Sequence, residues 1–128
     1  MKPVCEIIVQ EILPSMRALV ATQLTKNYGL SQEQAALRLG TTQPAISQYK
    51  RSLRGYKTTV FKKHPKLSEM IDSLTKRAAS GEISPAKVTM EFCRICSYMK
   101  KNGLMCEVHK ERNPLLEGCS MCMEEGVC

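Results

Sequence analysis

Near the carboxyl end of this 128-residue chain, metal-ligating residues fall into three pairs: Cys93 and Cys96, Cys106 and His109, Cys119 and Cys122. Two residues intervene within each pair, and nine separate one pair from the next. Two thiolates at such spacing can point at one ion from a helix end or a tight turn, and two or more pairs can close a tetrahedral site. A lone Cys-X2-Cys is a weak signal. Three pairs in a stretch with almost no core-forming residues indicate a bound metal that supplies the missing folding energy. A thioredoxin-like redox role fits less well, because no βαβ pattern accompanies the pairs. Cys93, Cys96, Cys119 and Cys122 would make a closed structural zinc site, although the 22 residues between the two halves slightly exceed the usual four-Cys spacing. Cys106, His109 and Cys128 are then left over. Extra thiolates beside a set of four also suit an iron–sulfur cluster, whose oxidation or loss can serve as a signal, with Cys106 the preferred further ligand. A lone His such as His109 is often simply a surface residue. Cys5, far from the others in sequence, reads as a buried small apolar residue.

A second kind of chemistry is carried by Leu30 to Arg51, LSQEQAALRLGTTQPAISQYKR, which contains two helix starts separated by a glycine turn. Ser31 and Gln34 have the spacing of a capping box, so a helix is predicted from Gln32, with Ala35, Ala36 and Leu39 as a narrow apolar face and Gly40 as its stop. Thr42 is the next cap. Gln43 and Pro44 then fall in the first helical turn, where a missing amide hydrogen has no helical partner to lose. On this second helix, predicted to run to about Ser52, Ala45, Ile46 and Tyr49 should face the core. Gln43, Ser47, Gln48, Lys50 and Arg51 should face outward. An amide at the amino end of such a helix can make paired hydrogen bonds to an adenine edge in the major groove, while Lys and Arg farther along meet phosphates or guanine.

The segment SQEQAALRLGTTQPAISQYKR resembles the helix-turn-helix of the phage-repressor and Cro type, also called the XRE type. The resemblance implies that Gln32 contacts the DNA backbone, that Gln43 contacts bases and that Gln48 occupies a further base-contacting place. Pro44 departs from the pattern, since a proline cannot make the polar base contact expected there. Thr42, Ser47, Lys50, Arg51 and Arg54 complete the candidate DNA-binding set. Over nearly the whole chain, the order of helix-turn-helix, connector, FCRIC and CSMC resembles archaeal predicted XRE-type transcriptional regulators. Spacing alone favours zinc; this resemblance tips the expectation to an iron–sulfur cluster.

These residues must be positioned by a small helical protein. The expected fold is mainly α, a helix-turn-helix helical bundle with a C-terminal helical cysteine-rich metal-binding segment. Its divisions are a DNA-binding domain over 1–55, a basic connector and helix over 56–84, and a cysteine-rich tail over 85–128. With 5% aromatic residues and no tryptophan, the interior must rely on Leu, Ile, Val, Ala and Met. Pro14 should kink or restart a helix at Leu13. Met16, Leu19, Val20 and Leu24 should form the stripe of the first full helix. Ile7, Ile8 and Ile12 exceed what a small core needs and could cover a partner subunit. Gly55 to Pro65 reads as a loop or short extended segment, with β-branched Thr58, Thr59 and Val60, and His64 should be exposed. A helix from Pro65 should bury Leu67, Met70, Ile71, Leu74 and Ala78. Another, from Ser84 and Pro85, carries Val88, Phe92, Cys93, Ile95, Cys96 and Met99.

The net charge of +7 is unevenly placed: no acid lies between Glu33 and Glu69, an interval that holds Arg38, Lys50, Arg51, Arg54, Lys57, Lys62, Lys63 and Lys66. A solvated face explains most charge runs but explains poorly why every acid lies elsewhere. No apolar run approaches a membrane span and no signal peptide is evident, so a cytoplasmic location is expected, with the cysteines as thiols or ligands. The leading expectation is therefore a dimeric, sequence-specific regulator of double-stranded DNA, not an enzyme. A zinc-stabilised RNA-binding or translation-associated protein is the alternative, disfavoured because few aromatics are available to stack bases. A small redox protein ranks third, because no flavin- or nucleotide-binding glycine motif is present.

Overall fold

The structure, a computed structural model, describes residues 8–51 and 59–104. A π-helical turn over Ile8–Ile12 leads into six α-helices: α1 (Leu13–Lys26), α2 (Gln32–Leu39), α3 (Gln43–Arg51), α4 (Thr59–Lys63), α5 (Pro65–Ser80) and α6 (Pro85–Lys101). Among the described residues there is no strand, and no helix is long and apolar enough to cross a membrane.

Pro14 has the effect its chemistry predicts. Lacking an amide hydrogen, it is tolerated in the first turn of a helix, and the π-helical turn gives way to α-helix at Leu13. Ser15, buried just beyond, donates its hydroxyl to the carbonyl of Glu11. Helix α1 is the central element and contacts α2, α3 and α5. Ile12, Met16, Val20 and Leu24 recur every four residues and are fully buried, but so are Ala18 and Ala21, so α1 is enclosed on more than one side. Leu19, expected in the stripe, is half-buried. The burial of Ile12 corrects the expectation that it is spare surface for a partner: its side chain belongs to this chain's own core. Ile7 and the side chain of Ile8 lie outside the described residues, as does Cys5.

The connector is the second correction. Thr59–Lys63 is helical rather than looped or extended. Phe61 is buried against the core, and the contact of α4 with α5 outweighs the weak extended preference of Thr59 and Val60. His64, expected to be exposed, is half-buried at the amino end of α5.

Helix α5 buries Leu67, Ile71, Leu74 and Ala78, with Met70 half-buried, and α6 buries Val88, Phe92, Ile95, Cys96 and Met99. Ser84 caps α6 by accepting the Lys87 amide hydrogen at 3.3 Å. Polar ties reinforce this packing. Gln23 of α1 donates to Asp72 of α5 at 3.0 Å, and Glu91 of α6 pairs with Arg77 of α5 at 3.2 Å and with Arg94 at 2.7 Å. One continuous core runs from Ile12 to Leu104 and includes Ala35, Ala36 and Ile46 of the two helices expected to meet DNA.

Candidate nucleic-acid interface and cysteine pair

Helix α2 begins with the reciprocal cap predicted for it. Ser31 Oγ accepts the Gln34 amide hydrogen at 3.1 Å, and Gln34 Oε1 accepts that of Ser31 at 3.0 Å. It ends at Gly40, whose φ of +68° lies in the left-handed region that glycine adopts without steric cost. A Cβ built on Gly40 would stand 3.0 Å from the Cβ of Pro85, so the turn lies against the first residue of α6. Thr42 Oγ1 then accepts the Ala45 amide hydrogen at 3.3 Å and starts α3. Buried Ala35 and Ala36 present little bulk, which lets α2 and α3 contact each other closely, and Ile46 anchors α3 in the core. Ala45 and Tyr49, expected to face inward with it, are half-buried.

The amino ends of the two helices are joined by their side chains. Gln43 Nε2 donates to Gln32 Oε1 at 2.5 Å, on an exposed surface. Thr42, Gln43, Pro44, Gln48 and Arg51 are exposed, whereas Gln32, Ser47 and Lys50 are half-buried. Lys62, Lys63 and Lys66 are exposed, so cationic side chains stand in solvent on α3, α4 and the start of α5. Arg54 and Lys57 lie outside the described residues.

Cys93 and Cys96 sit one turn apart on α6, with different surroundings. Cys93 is exposed, and Cys96 is 8% exposed. Burial, and secondarily the neighbouring Cys93, push the Cys96 thiol up to about 11, while the Lys100 ammonium acts in the opposite direction. Lys100 is itself buried, a placement its position in a terminal Lys-Lys pair does not reveal. Side chains three apart on a helix have Cβ atoms about 5–6 Å apart, close enough to serve one metal site. The donor chemistry fits half of a thiolate site, since a cation beside Cys96 would favour the thiolate that burial otherwise suppresses. Among the described residues no three metal-ligating side chains converge. Cys106, His109, Cys119, Cys122 and Cys128 lie outside the described residues.

The two candidate sites share a wall. Cys93 and Phe92 of α6 line a cleft of about 300 Å³ together with Leu39, Gly40 and Thr41 of the turn and Tyr49 of α3. The sequence singles out Leu39, Gly40, Tyr49, Phe92 and Cys93 but not Thr41, and it does not reveal their proximity. Compared with known proteins, the chain matches no family model, no curated protein and no solved structure.

Proposed function

We propose that the chain is a sequence-specific DNA-binding transcriptional regulator, in which α3 reads the major groove and the C-terminal cysteines hold an iron–sulfur cluster. The observation that carries the DNA reading is the hydrogen bond from Gln43 to Gln32 at the exposed amino ends of α3 and α2. With one amide hydrogen engaged by Gln32, Gln43 keeps its oxygen and its second amide hydrogen, the acceptor and donor that match adenine N6 and N7. Gln32 keeps an amide group to donate to phosphate. Holding Gln43 in place beforehand also lowers the ordering cost of binding. Lys50, Arg51, Lys62, Lys63 and Lys66 supply phosphate neutralisation, with Gln48 as a further base-reading candidate.

The test compares a selected operator with random duplex. Gln43→Ala should narrow the preference by about 1–3 kcal/mol, the value of a bidentate base contact. Lys62→Ala should weaken both duplexes alike and make the salt dependence shallower. Unchanged operator preference in Gln43→Ala, measured by fluorescence anisotropy over a salt series, overturns the assigned reading face.

One subunit offers a short reading face, which supports a two-fold dimer on an inverted repeat with half-sites roughly 10 base pairs apart, centre to centre. Light scattering at micromolar concentration should give twice the chain mass. A monomer that protects one asymmetric half-site would exclude this arrangement.

Cys93 and Cys96 of α6, with Cys106, Cys119 and Cys122, would hold the cluster, which supplies thiolate-bound iron sensitive to oxidant or iron supply. The regular spacing of the pairs and the placement of the first pair beside the helix-turn-helix support this part of the reading. Zinc in the same thiolates is the alternative. A cytoplasmic location accompanies this reading.

A further inference from the structure

The cleft beside the Gly40 turn has walls that neither DNA reading nor cysteine chemistry uses. Leu13 and Arg17 of α1 and Thr89 of α6 complete it, so α1, the turn, α3 and α6 together enclose a space of about 300 Å³. Leu13 and Arg17 stand four residues apart and therefore share a face of α1. Scarce aromatic residues gather here: of the two Phe and four Tyr in the chain, one of each lines this space. Phe92 is buried, and Leu13, Leu39 and Tyr49 are half-buried, so much of the wall is apolar and partly withdrawn from water.

Arg17 is the one charged side chain of the lining, and no carboxylate lines the cleft with it. It is half-buried. A guanidinium partly withdrawn from water beside apolar walls attracts an anion more strongly than one in open solvent, and its planar fork matches a carboxylate. The hydroxyls of Thr41 and Tyr49 add neutral hydrogen-bonding groups. Thr89 donates to the Pro85 carbonyl at 3.4 Å, which leaves its oxygen free to accept. These features select a class of ligand. A single cation calls for a monoanion, and the paired aromatic side chains favour a flat ring. The volume lies at the lower end of the range for small-molecule sites, which suits one ring with a short acid side chain better than a nucleotide.

We infer that this cleft binds a small aromatic monocarboxylate, with Arg17 holding the carboxylate and Leu13, Leu39, Tyr49 and Phe92 enclosing the ring. Cys93 is exposed at the same cleft, but a contact with Arg17 requires no thiol. Binding therefore goes beyond the DNA and metal readings and depends on neither.

The test is a titration of the isotope-labelled full chain with benzoate, phenylacetate and indole-3-acetate, followed by amide shifts in two-dimensional NMR. Each acid is taken to about 10 mM, a concentration that reaches even weak fragments. At least one should shift the Gly40, Thr41 and Phe92 amides saturably. The matching carboxamide keeps the ring and loses the charge, and it should bind about tenfold more weakly; binding of the acid to Arg17→Gln should fall by a similar factor. Thr89→Phe changes an exposed position and should fill part of the cleft and abolish the shifts. Helical circular dichroism checks that both variants are folded. Should Arg17→Gln fail to fold, the carboxamide comparison on the native protein still decides the part played by charge. The absence of a saturable shift with all three acids overturns the site, as do saturable shifts that leave the residues of the cleft unmoved. Equal binding of acid and carboxamide overturns the anionic class and the contact with Arg17.

Discussion

Ile46→Ala is expected to lower the unfolding free energy by about 2–5 kcal/mol, the range for removing a large buried aliphatic side chain. Ile46 is the one buried residue of α3; its neighbours Ala45 and Tyr49 are half-buried, so no other side chain of that helix can substitute for it. The cavity would open where α3 packs against the central α1 and α2, and the buried residues of α2, Ala35 and Ala36, are small. Against a typical total of about 5–15 kcal/mol, a loss of this size is large. The thermal midpoint should fall by roughly 10 °C or more. Gln48→Ala, on the exposed side of the same helix, should stay within about 0.5 kcal/mol of the native protein. Chemical denaturation of the two variants gives the comparison. Similar midpoints would mean that α3 is not anchored through Ile46.

Cys93→Ser is expected to abolish cluster binding. Protein purified without oxygen should be brown and contain iron and acid-labile sulfide, and the serine variant should contain neither; Cys122→Ser should behave alike. The exposure of Cys93 makes this result interpretable, because serine there removes a thiolate without opening a cavity in the core. Cys96→Ser would be a poorer test, since it places a hydroxyl where a buried thiol packs. Stoichiometric zinc without iron would exclude the cluster. Operator affinity should differ between loaded and metal-free protein by about 1–3 kcal/mol, a usual coupling between two sites. Helix α6 contacts α2, which contacts α3, so a shift of α6 would reach α3 through α2. Identical affinities would leave the metal a structural role only.

The local signals were legible because they rest on short-range chemistry. Ser31 with Gln34, Thr42, Pro65, Ser84 and Pro85 each mark a helix start through hydrogen bonds or ring geometry confined to one turn, and the helices begin where those residues place them. Apolar spacing on α5 and α6 likewise names most of the side chains that are buried. Long-range contacts were not legible. Ile12 looks surplus until α1 is known to be enclosed, and Thr59 and Val60 look extended until Phe61 is seen to anchor α4. Gln32 and Gln43 were both named as DNA-binding candidates, but their mutual hydrogen bond depends on the crossing of two helices. The neighbourhood of Cys93 and Tyr49 depends on how α6 returns across the turn, which no local pattern encodes.

The continuous core also bears on how the proposed recognition specificity could be exchanged. A fragment ending after α3 would lose Phe61, Leu67, Ile71, Leu74, Val88 and Phe92, leaving the inner sides of α1 and α2 facing water. Helices α2 and α3 are therefore not a cassette to be lifted onto another scaffold, nor can a foreign pair be inserted whole. Were α3 to read DNA as proposed, the portable part would be much smaller: the exposed positions Gln43 and Gln48, which can be rewritten while Ile46 and the Gly40 to Pro85 contact keep the helix in place.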